Sequence, residues 1–282
     1  MNSSDADDSA PPLPSLRWSG CTHVGRVRKN NEDAFLALTF DRESTRYLGK
    51  TGEASLDQGD FVFAVSDGMG GANAGEFASR IAVDKITELL PRTFRLSAMG
   101  LSQGPHELLE EIFSRTHEAM ESMGFHYEEC RGMGATLSLC WFTPEQMVFA
   151  HIGDSRIYYL PREGGIRQIT KDHTHVDWLL ETGRITKTEA RFHPKRHVLN
   201  KALGARFNHV EPQLGTVKYE SGDRILLCTD GVLEASGPAG LEVFLRQPSK
   251  REAESPPAQR IVDDAVRISG KDNSTAVVVE VL

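Results

Sequence analysis

Several of the most apolar stretches of this chain border on an aspartate. FVFAVS (61–66) runs into Asp67-Gly68, RILLCT (224–229) runs into Asp230-Gly231, and Asp272-Asn273 opens the terminal stretch STAVVVEV (274–281). Short runs rich in Val, Ile, Leu and Phe read as β-strands, and FVFAV, apolar on both faces, reads as a buried one. A carboxylate at the end of such a strand sits at a sheet edge, and the glycine after it lets the backbone turn away or approach a ligand closely. One Asp-Gly is also an ordinary turn. The repetition carries the argument, together with Glu32-Asp33 at the start of another strand. Gathered without partners, these carboxylates would repel one another and have raised pKa values. Hard divalent cations relieve that repulsion, and an all-oxygen ligand set points to Mg²⁺ or Mn²⁺ rather than zinc.

The rest of the chain reads as mixed α and β. Strands are expected at about 17–24, 33–40, 135–142, 146–152, 155–160, 210–217 and 223–229. A helix over 74–90 presents Phe77, Ile81, Ile86, Leu89 and Leu90 as an apolar stripe, with Pro91 near its stop. Further helices fall at about 105–123, 239–247 and 258–268, and Thr186 and Glu189 have capping-box spacing. Residues 41–60 read as a loop or surface hairpin, and 1–15 as a disordered acidic arm. Strands grouped before and after helices, with hairpin-length links, indicate an α+β fold with antiparallel sheets in one domain over 16–282.

Charge and cysteine usage exclude some classes. The net charge of −8 disfavours a nucleic-acid or anionic-membrane surface. Cys21, Cys130, Cys140 and Cys228 form no C-x-x-C pair and read as reduced core residues. No apolar run approaches the roughly 18 residues of a membrane span, and the N-terminus has no apolar signal segment, so a cytoplasmic protein is expected.

Eight ordered motifs make the chain recognisable. VGRVRKNNEDAF (24–35), SDGMGGANAGEFAS (66–79), GMGATLSL (132–139), HIGDSRIYYL (151–160), TKDHT (170–174), LNKALG (199–204), LLCTDGV (226–232) and KDNSTAVVV (271–279) resemble, in order, those of the PPM, or PP2C-type, protein serine/threonine phosphatases of bacterial type. The resemblance implies two antiparallel sheets packed as a central sandwich flanked by helices, with metals at one edge. It also implies roles: Asp67 bridging two Mg²⁺ or Mn²⁺ ions, the Gly68 carbonyl binding one, and Asp230 and Asp272 holding the other. Glu32 and Asp33 would fix metal-bound waters, Asp33 with a direct contact as well. Arg28 would clamp the substrate phosphate, a task suited to a planar guanidinium. The implied partners are phosphorylated proteins and a Ser/Thr kinase whose action is reversed, and a monomer is expected.

The chain also departs from the pattern. Met69 stands where eukaryotic relatives place a histidine proposed as general acid, and His151 where asparagine is more usual. The aspartate that relatives carry before the third motif for a third metal is absent at Arg131 and Gly132, with Glu128 or Glu129 as the nearest substitutes. Two ions are therefore expected. Rival chemistries fail on sequence. The residues six after each cysteine are Val27, Thr136, Gln146 and Glu234, so no C-x₅-R exists, and the only N-terminal D-x-D, Asp5-Ala6-Asp7, lies in the arm. His173/His175 and His193/His197 lack a zinc-protease pattern, and 171–196 is read instead as a flap beside the site. The alternative from another class is a catalytically weak phosphoprotein-binding module, which loss of a metal aspartate would favour; none is lost.

Overall fold

The computed structural model describes residues 13–41, 43–70, 74–98, 104–235, 237–248 and 254–282. The expected arm falls largely at 1–12, outside the described residues, and Ser15 already begins a strand. In chain order the strands are β1 (Ser15–His23), β2 (Asp33–Phe40), β3 (Thr45–Tyr47), β4 (Thr51–Ser55) and β5 (Asp60–Met69), followed by helices α1 (Ala74–Ala98) and α2 (Pro105–His126). Then come β6 (Gly134–Ala135), β7 (Leu137–Phe142), β8 (Met147–Ile152), β9 (Arg156–Leu160) and β10 (Arg167–Gln168), and the short helices α3 (His175–Glu181) and α4 (Lys187–Phe192). The chain closes with β11 (Leu203–Gly204), β12 (Gln213–Val217), β13 (Arg224–Cys228), α5 (Asp230–Leu233), α6 (Pro238–Arg246), α7 (Pro257–Ile268) and β14 (Ser274–Val281).

Two antiparallel sheets result. One has the order β10-β9-β13-β14-β1-β4. The other runs β3-β2-β5-β7-β8-β12, with β6 continuing β7 along β5 and β11 paired to β6. Strand periodicity explains the layering, because successive side chains point to opposite faces. In β5, Phe61, Phe63 and Val65 point between the sheets, whereas Val62 and Ala64 point outward under α1 and α2. In β14, Val277, Val279 and Val281 face the inter-sheet core, and Ala276 and Val278 face α5, α6 and α7. The absence of alternation in these strands thus reflects cover on both faces, the helix–sheet–sheet–helix arrangement that the sequence implied. All four cysteines are buried and free.

Three elements differ from expectation. Helix α1 passes through Pro91 to Ala98 instead of stopping. A proline removes one backbone hydrogen bond and strains one turn, at about 3 kcal/mol. Packing of α1 against α2 and the sheet outweighs that local term. Residues 41–60 do not form a hairpin of their own. β3 extends β2, whereas β4 crosses to the other sheet and pairs with β1, placing Gly52 against the Trp18 ring. The indole Nε1–H donates to the Gly49 carbonyl at 2.9 Å, so a buried aromatic fixes a polar insert. The expected strand 135–142 breaks at Thr136, whose N–H donates to the Asp67 carbonyl at 2.8 Å.

Candidate active site

The carboxylates gather because strands of both sheets begin or end at one place. Asp33 starts β2 and lies opposite Asp67 at the end of β5, in antiparallel register. Asp230 follows β13 and opens α5, and Asp272 precedes β14. Arg28, Glu32, Asp67, Gly68, Asp230 and Asp272 line one cleft of about 580 Å³. Asp33, at 8% exposure, lies beneath it.

Burial is the first cause of the electrostatics here, and mutual repulsion the second. Burial pushes the Asp33 carboxyl up to about 7, with the Asp230 and Asp272 charges adding to it and hydrogen bonds to Thr275 and Thr229 opposing it. Asp67 is held well above the usual carboxylate range by burial and then by Asp33, Asp230, Asp154 and Asp272. Asp230 is pushed up to about 6 by burial and by Asp272. Asp33 Oδ2 accepts from Thr229 Oγ1 at 2.8 Å, but its Oδ1 is buried without a hydrogen-bond partner. An orphaned buried carboxylate oxygen among like charges is costly. Cations fit that donor set. Among the described residues no three His, Cys, Asp or Glu side chains converge on one point. An open array of this kind suits hard ions that complete their shells with carbonyl and water oxygens.

Two glycines make the geometry possible. A Cβ on Gly68 would fall 1.9 Å from the Gly75 carbonyl oxygen, and one on Gly231 would fall 1.9 Å from the Asn273 carbonyl oxygen. Only hydrogen fits in either gap, so any side chain would push apart the backbones that carry the carboxylates. Glu32 lies over the first turn of α1, where a Cβ on Gly75 would meet its carboxylate at 2.7 Å. The positive end of the helix favours an anion there. Arg28 donates through Nη2 to Asp272 Oδ2 at 2.7 Å, which raises its pKa further, and its side chain is 49% exposed.

The structure adds residues that sequence reasoning passed over. Asp154, between β8 and β9, lines the same cleft and is pushed up to about 8 by burial and the Asp230 charge. It sits inside the motif HIGDSRIYYL at the end of a buried strand, but its glycine precedes it, so the Asp-Gly signal was missing. The two-ion expectation rested on Arg131 and Gly132, yet Asp154 supplies a further carboxylate beside Asp230. Glu128 and Glu129, in a 3₁₀ turn, do not line the cleft. Asn273 accepts the Glu32 N–H at 2.8 Å and donates to the Val24 and Asn30 carbonyls at 2.9 and 3.0 Å, fixing the segment that carries Arg28 and Glu32. Its signal was only its place beside Asp272.

Residues 171–196 stand next to the site and are tied at their roots. The Arg156 guanidinium donates to Asp172 at 2.6–3.0 Å. His173 N–H donates to the Gly153 carbonyl at 2.7 Å, and Gly153 N–H donates to His173 Nδ1 at 3.1 Å. His151, fully buried, stacks on His173 and bridges Ser138 Oγ and the Lys171 carbonyl at 2.8 and 3.0 Å. A histidine at 151 thus spans a gap between the sheet and the start of the 171–196 segment and fills both of its ring nitrogens.

Known proteins match this arrangement. The protein phosphatase 2C family profile matches residues 50–281. The serine/threonine protein phosphatase PstP of Mycobacterium tuberculosis is 34% identical over 270 residues, 95% of this chain and 45% of that protein. This chain therefore spans about half the length of that curated relative. The serine/threonine phosphatase Stp of Listeria innocua is 33% identical over 92% of this chain and 93% of its own. A solved structure of the PstP catalytic domain in complex with two manganese ions superposes with a TM-score of 0.72 at 31% identity, over 95% of this chain and 99% of that one. With eight motifs in order, two packed sheets and carboxylates from both at one edge, the chain belongs to the protein phosphatase 2C family.

Proposed function

We propose that this protein is a Mn²⁺- or Mg²⁺-dependent phosphatase that hydrolyses phosphoserine and phosphothreonine in proteins, reversing a partner Ser/Thr kinase. The observation that carries the reading is the register of Asp33 against Asp67 in one sheet, facing Asp230 and Asp272 from the other, with Asp33 Oδ1 unpartnered. Asp67 and the Gly68 carbonyl would hold one ion, and Asp230 and Asp272 another, with Asp67 shared. Asp154, beside Asp230, adds a carboxylate suited to a further cation. Divalent ions bound there supply Lewis acidity and positive charge beside the phosphoryl group.

The chain's own groups do the remaining work. Arg28 lines the cleft with only its Nη2 engaged, by Asp272, among the described residues, and pairs with phosphate oxygens, neutralising charge that grows in the transition state. Glu32, its carboxyl raised by burial and lowered by Arg28, accepts hydrogen bonds from water near Asp67. The Thr229 and Thr275 hydroxyls hold Asp33 in one orientation. Preorganised groups of this kind need no rearrangement when charge develops.

Hydrolysis of a phosphothreonine peptide by wild type and Asp67→Asn, in EDTA, Mg²⁺ and Mn²⁺ in turn, tests the reading. Turnover that requires one of the ions and is lost in the variant is the expected result. A folded wild-type protein inactive with both ions would overturn it.

A further inference from the structure

Gly204, Ala205 and Arg206 follow one another with φ of +64°, +53° and +60°. Left-handed backbone is ordinary for glycine and uncommon for other residues, so two non-glycine residues in succession need surroundings that hold them. The amides of 204 to 207 show what those surroundings are. The Ala205 N–H donates to the Met133 carbonyl at 2.7 Å, and the Phe207 N–H closes the turn on the Gly204 carbonyl at 3.1 Å. The other two amides leave the turn for side chains of α2. The Gly204 N–H donates to His117 Nδ1 at 3.0 Å, and the Arg206 N–H donates to Glu121 Oε1 at 2.9 Å.

His117 and Glu121 lie one turn apart on one face of α2, and neither lines the carboxylate cleft. The turn they hold does line it: Ala205 and Phe207 share that cleft with Asp67, Gly68 and Arg28. The turn is also fixed from the sheet, because Gly204 pairs with Gly134, which pairs with Met69. Little slack remains. A Cβ on Gly204 would fall 2.6 Å from the Met133 carbonyl oxygen and 3.0 Å from the Met120 Cβ. An acceptor at Nδ1 places the ring proton on Nε2 and requires the neutral imidazole. Burial favours that form by lowering the His117 pKa, against the charges of Glu121 and Glu118.

We propose that His117, with Glu121 beside it, is a positioning residue for the reaction: from a helix outside the cleft it holds the 204–207 turn, so that Ala205 and Phe207 form a fixed wall. The inference rests on the phosphatase reading, because a rigid wall affects turnover only if the phosphoryl group reacts in that cleft. Without the two side-chain acceptors, the Gly204 and Arg206 amides would lose their partners and the non-glycine residues would relax from positive φ. The wall would then shift. A displacement of about one ångström is enough to cost about a hundredfold in rate, even when the altered residue lies far from the chemistry.

Kinetics of wild type, His117→Leu and His117→Asn on p-nitrophenyl phosphate and a phosphothreonine peptide, in saturating Mn²⁺ and with melting temperatures measured alongside, test the proposal. Leucine keeps bulk but offers no acceptor, whereas the Oδ1 of asparagine takes the place of Nδ1. His117→Leu is expected to lose about tenfold in kcat on both substrates with KM little changed, and His117→Asn to stay within about twofold of wild type. Amide exchange at Gly204 should quicken in His117→Leu and not in His117→Asn. A His117→Leu protein that melts lower yet keeps wild-type kcat would make His117 a packing contact and overturn the proposal. So would a His117→Asn protein as slow as His117→Leu. If His117→Leu does not fold, Glu121→Ala and Glu121→Gln make the same comparison at Arg206: kcat should fall in the first and hold in the second, and equal kcat in both would overturn the proposal. Wild type inactive on both substrates would instead sink the phosphatase reading itself.

Discussion

The strand-end carboxylates and the 171–196 segment share a cleft but are held by different physics. Asp33 and Asp67 are set by a backbone ladder, register against register, inside a core closed on both faces. The adjacent segment has two short helices, exposed side chains such as Phe192 at 82%, and ties concentrated at its roots. Sheet register fixes carboxylates that repel one another. Side-chain ties fix a wall that can vary in sequence without disturbing the ladder. The difference predicts that the strand-end carboxylates and the 171–196 segment can be altered separately in this molecule.

The largest effect is expected at the carboxylates. Asp33→Asn should cut peptide hydrolysis by about 10³-fold, the scale of losing a preorganised electrostatic group. The same change should raise the melting temperature of EDTA-treated protein at pH 8, because a buried charge with an orphaned oxygen becomes neutral. A lower melting temperature would show that Asp33 is held by its two threonines at no net cost.

A smaller effect follows pH. Asp33, Asp154 and Asp230 have folded-state pKa values of about 7, 8 and 6, all raised above the ordinary value near 4. A raised acid pKa means that the folded state holds its protons longer than the unfolded state. The stabilisation is intact below about pH 4 and is lost as pH rises through 6–8. Metal-free protein should therefore melt at progressively lower temperature from pH 5 to 8.5, by calorimetry. With Mn²⁺ the fall should flatten or reverse, because ions replace the protons. A flat metal-free profile would remove the electrostatic half of the comparison.

The smallest effect belongs to the start of the 171–196 segment. Asp172→Asn removes the charge that fixes Arg156 and should raise KM for a phosphopeptide a few-fold. Turnover of p-nitrophenyl phosphate should hold, and limited proteolysis within 171–196 should speed up. A large fall in turnover on the small substrate would mean that the two regions are one unit.

Much of this was legible in the sequence because it rests on short-range patterns. Two-faced apolar strands such as FVFAV announced a covered sheet, and Thr186 with Glu189 announced a cap that the structure forms in full. Asp67, Asp230 and Asp272 were visible as strand-end acids. What escaped depended on long-range pairing. Asp154 joins the cleft only because β8 and β9 lie in different sheets. Asn273 acts through partners some 240 residues away in the chain, which no local window shows. Pro91 was misread because helix rules weigh the backbone alone, whereas α1 as a whole also packs on α2 and the sheet.

The crossing of residues 41–60 from one sheet to the other has a consequence beyond the site. Open sheets present rows of unpaired amide and carbonyl groups that invite another chain to add a strand. Here β4 covers the β1 flank and itself ends the row after Thr51–Ser55, with Glu53 paired to Arg17. The other outer strands are no longer: β3 is Thr45–Tyr47, β10 is Arg167–Gln168, and β12 spans Gln213–Val217. The polar insert thereby leaves short, partly charged outer strands where a longer edge would offer another chain more groups to pair with.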